Sequence, residues 1–121
     1  MNFIEALKSQ IILIDGAMGT MIQNLDLTDA HFGGAEYRML SDLLVFSRPK
    51  DIQNIHVEYF KAGANAIETN TFGASPLRLA EYDFSRLDTS IFPDLGYPEL
   101  QTMTYDEMAY HMSKQGALLG K

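Results

Sequence analysis

Two polar clusters in the chain carry residue types able to hold a small charged molecule. Asp15-Gly16-Ala17-Met18-Gly19-Thr20 follows the apolar run Ile11 to Ile14, and Glu68-Thr69-Asn70-Thr71 follows Ala64 to Ile67. A carboxylate at the end of an apolar run, as at Asp15, is short and well placed to accept charge-assisted hydrogen bonds from a ligand ammonium group. The alternative is an Asx turn that only caps the loop. Gly16 and Gly19 allow tight turning and leave backbone N–H groups, from Gly16 through Thr20, free to cradle a carboxylate as anion-binding nests do. The spacing is neither the dinucleotide pattern G-x-G-x-x-G nor the phosphate loop G-x-x-x-x-G-K. In the second cluster, strand alternation would put Glu68 and Asn70 on one face and Thr69 and Thr71 on the other. Four polar side chains in a row are unusual for a pure core, since buried polar groups need partners. They suit a binding rim, or a structural hydrogen-bond network.

Other chemistry has little support. His31, His56 and His111 are widely separated and form no close metal-binding spacing. His56 falls mid-helix, where a packed or surface role is the simpler reading. The chain has no cysteine, which removes disulfides, thiolate nucleophiles and thiolate metal sites. Met18, Met21, Met103, Met108 and Met112 read as packing residues. No pair of nucleophile and base stands out.

The elements that must position the two clusters follow from pattern. Asn2 and Glu5 make a capping pair for a short helix with Phe3, Ile4 and Leu7 on one packing side. The run Ile11 to Ile14 predicts a strand buried on both faces, as in parallel sheets. From Leu25 to Arg48 a long excursion is expected, with a helical turn near Ser41 to Val45. Pro49 suits a first helical position, Ile52, Ile55, Tyr59 and Phe60 recur at helical spacing, and Gly63 marks the helix end. Residues 64–69 then predict a second strand. Strand, helix and strand imply a parallel pair with a right-handed crossover, with both polar clusters on one rim. Ser75-Pro76 opens another short helix through Leu77 and Ala80. Residues 83–104, with Pro93, Gly96 and Pro98, read as a loop or insertion. Thr104 and Glu107 form a capping box for a last helix through Met108, Ala109, Met112 and Leu118 or Leu119.

The 121 residues, 46% of them apolar, suffice for one domain with a core. A net charge of −7 with no basic cluster argues against a nucleic-acid surface. The apolar runs are too short to span a membrane and the N-terminus lacks a signal-peptide pattern, so a soluble, cytoplasmic protein is expected.

Read together, IILIDGAMGTMIQ (11–23), DLLVFSRPKDIQNIH (42–56), EYFKAGANAIETNTFGAS (58–75) and LAEY (79–82) resemble the homocysteine S-methyltransferase family. The ETNTF ending favours its folate- and cobalamin-using branch. The resemblance implies the N-terminal portion of a (β/α)8 TIM barrel, an α/β fold of which this chain would supply about two parallel strands. Such a barrel takes about 250 residues, so the remaining strands would come from further sequence or a complementary chain, and this chain alone would be inactive. Open strand edges would also permit self-association. The implied reaction is methyl transfer to the sulfur of homocysteine. Asp15 would hold the substrate ammonium group, the backbone of Gly16, Ala17, Met18, Gly19 and Thr20 its carboxylate, and Glu68, Thr69 and Asn70 would line the same pocket. The family further implies a zinc ion on cysteines that this chain lacks, with cobalamin and methyltetrahydrofolate bound by other modules. Ser41 and Asn65 stand where the family often has Asn and Asp.

Overall fold

The computed structural model describes residues 2–121. It is built from six α-helices joined by short 3-10 turns: α1 (Phe3–Ser9), α2 (Gly19–Gln23), α3 (Leu44–Ser47), α4 (Pro49–Lys61), α5 (Pro76–Leu79) and α6 (Tyr105–Leu119). The caps formed where the residue types placed them. Asn2 with Glu5 closes a capping box on α1, and Thr104 with Glu107 closes one on α6. Pro49 and Pro76 each open a helix, and the Ser75 hydroxyl accepts the Arg78 N–H. α4 ends at Lys61, and Gly63, at φ +113°, turns the backbone out of the helix where a Cβ would be strained.

The expected α/β architecture is not what forms. The two predicted strands, and with them the two-stranded opening of a (β/α)8 barrel, reduce to a single parallel bridge between Ile14 and Ala66. Around it, Asp15 N–H donates to the Ala66 carbonyl at 3.1 Å, while Asn65 and Ala66 N–H both donate to the Leu13 carbonyl. No sheet exists among the described residues. The physical reason lies in burial. Ile11 is 85% exposed, and Leu13 and Ile14 are also exposed, so no layer covers the run that was read as buried on both faces. A bare pair of strands is at best marginally stable in water. α1 likewise buries none of its residues, so Phe3, Ile4 and Leu7 do not pack as their spacing suggests.

The core is instead helical, and much of it comes from the segment read as an excursion. The 3-10 turns Asp29–Phe32, Ala35–Tyr37 and Ser41–Leu43, together with α3, contribute Phe32, Tyr37, Leu40, Leu43, Leu44, Val45 and Phe46 to the interior. α6 packs on α3, α4 and α5, burying Met108 and Met112 against Ile52 and Leu79. It can lie close because Gly116 faces Thr71: a Cβ there would come 2.3 Å from Thr71 Cγ2.

Residues 83–104 are irregular but anchored, since Phe84, Leu87 and Leu100 are buried. The Tyr37 hydroxyl donates to the Asp83 carbonyl, and Gln101 Nε2 donates to the Leu87 carbonyl at 2.8 Å. Phe84 stacks on Tyr37 with ring centroids 5.6 Å apart, a favourable offset distance.

Candidate functional site

The bridge at Ile14 and Ala66 brings the two polar clusters together even without a sheet. Directly beyond it, the Glu68 N–H donates to Asp15 Oδ1 at 3.1 Å. That bond fixes the half-buried Asp15 carboxylate beside the exposed Glu68, and Asp15 Oδ2 has no hydrogen-bond partner among the described residues. The register depends on Asn65, whose side-chain Oδ1 accepts the Leu13 N–H at 3.0 Å. Asn65 thus completes the pairing that the backbone alone begins.

The loop after Asp15 rests on α4. The Tyr59 hydroxyl donates to the Ala17 carbonyl at 2.6 Å, and a Cβ on Gly16 would lie 3.2 Å from that same hydroxyl oxygen. The close approach explains why a residue without a side chain suits position 16. Met18 packs against the core, and Gly19 and Thr20 form the first residues of α2. A cavity of about 600 Å³ opens beside α2, lined by Gly19, Gln23, Asp26, Arg38 and Ser41 among others.

In the second cluster, the residues divide between solvent and interior. Glu68 and Thr69 are exposed, whereas Asn70 is buried and its Nδ2 donates to the Ser41 carbonyl at 3.0 Å. Thr69 and Thr71 pair through their hydroxyls at 2.7 Å. Glu68 therefore stands with Asp15, while the amide donor of Asn70 is engaged with the neighbouring turn.

A second buried tie lies next to it. Asp42 Oδ2 accepts the Gly73 N–H at 2.8 Å, and a Cβ on Gly73 would lie 2.8 Å from Asp42 Oδ1. Burial pushes the Asp42 carboxyl up from its ordinary range, although the Gly73 N–H, its own N–H and the Arg78 charge act against the rise. Together, Asn70–Ser41 and Asp42–Gly73 hold the Glu68 to Gly73 segment against the core turn at Ser41–Leu43.

Sequence reasoning missed Tyr59, Asn65, Asp42 and Gly73 as supports. Tyr59 was legible only as an apolar helix position, and nothing in the spacing of Asp42 and Gly73, thirty-one residues apart, signals their contact. For His56, expected in a packed or surface role, the packed role is the one that forms. It is 1% exposed, one turn before Tyr59, and burial pushes its imidazole pKa down, with the Asp15 carboxylate acting in the opposite direction.

No group of three His, Cys, Asp or Glu side chains converges among the described residues, and the sequence holds no cysteine. Nor is any helix among the described residues long and apolar enough to cross a membrane.

Comparison with known proteins agrees with the motifs that frame this site. The profile of homocysteine S-methyltransferase matches residues 12–93, a span that includes both polar clusters, α4 and α5. Methionine synthase of Mycobacterium tuberculosis (strain ATCC 25618 / H37Rv) is 40% identical over 84 residues, or 69% of this chain. The match takes in 7% of that relative, so the chain spans a small part of its length. With the family profile covering well over half of its residues, the chain belongs to the homocysteine S-methyltransferase family.

Proposed function

We propose that this chain supplies the amino-acid-holding part of a methionine synthase type of homocysteine methyltransferase, acting as one portion of a longer enzyme. The observation that carries the reading is the Glu68 N–H bond to Asp15 Oδ1. It fixes one carboxylate oxygen and leaves Oδ2 to take the ammonium group of homocysteine, where a charge-assisted bond is strongest. Backbone N–H groups of Gly16 to Thr20 face the substrate carboxylate, with Glu68, Thr69 and Asn70 at the edge of the same pocket. In the longer enzyme, a methyl donor bound by other parts would transfer its methyl group to the homocysteine sulfur, with loss of the thiol proton and release of the demethylated donor, giving methionine. The zinc that the family resemblance implies does not fit this chain, which has no cysteine and, among the described residues, no converging donor set. Sulfur activation, like any cobalamin or methyltetrahydrofolate chemistry, therefore falls to other parts of the enzyme.

Titrating L-homocysteine into the ¹⁵N-labelled chain tests the reading. Amide shifts are expected to concentrate at Asp15 to Thr20 and Glu68 to Asn70. Shifts confined to other regions, or none at all from a well-dispersed folded chain, would count against it. A second reading, self-association through a non-catalytic module, draws on the exposure of Ile11, Leu13 and Ile14. In the same spectra it predicts broadening of those residues as protein concentration rises, without any response to homocysteine.

A further inference from the structure

The irregular segment 83–104 builds a cavity that methyl transfer to homocysteine does not use. Its volume is about 190 Å³, and none of the residues assigned to the homocysteine pocket lines it. That is below the roughly 300–1,000 Å³ of sites for drug-sized molecules, so it suits a head group. Three aromatic side chains, Phe46, Phe92 and Tyr97, form its wall with two carboxylates, Asp94 and Glu99, and with no Lys, Arg or His. The wall is fixed from outside. The Tyr97 hydroxyl donates to Oε1 of the buried Gln115 on α6 at 2.7 Å, and its ring meets Phe46 edge-on with centroids 5.5 Å apart. Opposite, Gln101 Nε2 donates to the Thr89 hydroxyl oxygen at 3.1 Å. Asp94 Oδ1 accepts the Gly96 N–H at 2.9 Å, in a turn whose φ of +80° at residue 96 suits glycine. Neither Asp94 nor Glu99 forms an ion pair among the described residues.

Rings and carboxylates without a counter-ion select a cation, and the rest of the wall narrows which one. A bare ammonium or guanidinium group brings several N–H donors, and phenyl, proline and leucine surfaces offer them no acceptor. A divalent metal needs converging oxygen ligands, and no group of three His, Cys, Asp or Glu converges among the described residues. A fully methylated ammonium group has neither need. It carries no N–H, its methyl surface packs on ring faces, and its charge is attracted by the ring quadrupoles. We propose that this cavity binds the quaternary ammonium head group of a small alkylammonium molecule, with Phe92 and Tyr97 against its methyl groups and Asp94 and Glu99 countering its charge. The hydrogen bonds of Tyr97, Thr89 and Asp94 hold the wall ready, which lowers the ordering cost of binding. The inference is independent of the role of Asp15.

Choline chloride titrated into the ¹⁵N-labelled chain tests it, beside sodium chloride at equal concentration and the neutral carbon isostere in which tert-butyl replaces trimethylammonium. Choline is expected to give saturable amide shifts within Thr89 to Leu100 that sodium chloride does not, and to bind at least about tenfold more tightly than the isostere. Phe92→Leu, which keeps apolar packing without a ring face, and Glu99→Gln, at an exposed position, are each expected to weaken choline about three- to fivefold. Equal affinity for choline and isostere overturns the proposal in favour of a merely apolar cavity. No saturable shift in the folded parent overturns it too, as does binding that Glu99→Gln and a folded Phe92→Leu both leave unchanged. Shifts centred on Asp15 to Thr20 overturn it by placing the cation elsewhere. Should Phe92→Leu not fold, the isostere and Glu99→Gln still decide. A short peptide carrying trimethyllysine separates the sources: choline is expected to bind at least as tightly, whereas tighter peptide binding supports the head-group site and assigns its occupant to a partner's side chain.

Discussion

Asp42 and Asp15 are both carboxylates at the mouth of a turn, yet their surroundings give them different work. Asp42 is 6% exposed and turned inward, and its raised pKa means that ionisation is disfavoured in the folded state relative to the unfolded chain. The sign follows directly. Its contribution to stability is complete at pH values below the ordinary carboxylate range and is lost as pH rises through the elevated folded value. Asp42→Asn keeps an oxygen to accept the Gly73 N–H and cannot ionise. Its unfolding curve is expected to match the parent in acid and to gain on the parent as pH rises through that window. Asp42→Ala leaves the buried Gly73 N–H without an acceptor and is expected to cost about 1–3 kcal/mol at neutral pH. Chemical denaturation across pH checks both variants, and an Asp42→Ala variant as stable as the parent would show that the tie to Gly73 contributes nothing.

At the scale of elements, α6 shows how one glycine controls docking. Alanine at position 116 would improve helix propensity by about 1 kcal/mol. Against that, its Cβ would come 2.3 Å from Thr71 Cγ2, well inside any normal contact. Thr71 has no easy escape, because its side chain is β-branched and its hydroxyl is bonded to Thr69. The clash term, about 1–3 kcal/mol for overpacking, is expected to win, so Gly116→Ala should lower stability and disturb the Thr69–Thr71 pair. Thermal unfolding with amide shifts of residues 67–71 reads both effects.

The same scale separates what sequence made legible from what it hid. Local chemistry was readable: the capping boxes at Asn2 and Thr104, the helix starts at Pro49 and Pro76, and the exit at Gly63 all depend on neighbours within a few residues. The strands were not, because an apolar run such as Ile11 to Ile14 signals a wish for burial without saying whether a covering layer exists. The 25–48 segment failed in the opposite direction. Its 3-10 turns have no long periodicity, yet they deliver Tyr37, Leu40 and Leu43 to the core. In the site, Asp15 and the Glu68 to Thr71 stretch were expected on one rim because two strands were expected to pair, whereas a single bridge is what brings Asp15 and Glu68 together. Their supports at Tyr59, Asn65 and Asp42 were hidden, since each acts through a contact distant in sequence.

For the whole molecule, a helical core carries a polar rim at its edge. Leu40, Leu43, Leu44, Met108 and Met112 are fully buried, whereas the bridge at Ile14 and Ala66 and the apolar residues before it stand at the surface. Two buried side-chain ties, Asp42 to Gly73 and Asn70 to Ser41, join core to rim. Family membership and this geometry motivate one proposal, that the Asp15 carboxylate holds the ammonium group of homocysteine. Isothermal titration calorimetry of L-homocysteine into the intact chain and into Asp15→Ala tests it most directly. One-site binding by the parent, weakened at least tenfold (about 1.4 kcal/mol) by the substitution, is the expected result. Equal binding by both folded proteins, or none by the parent, would contradict it.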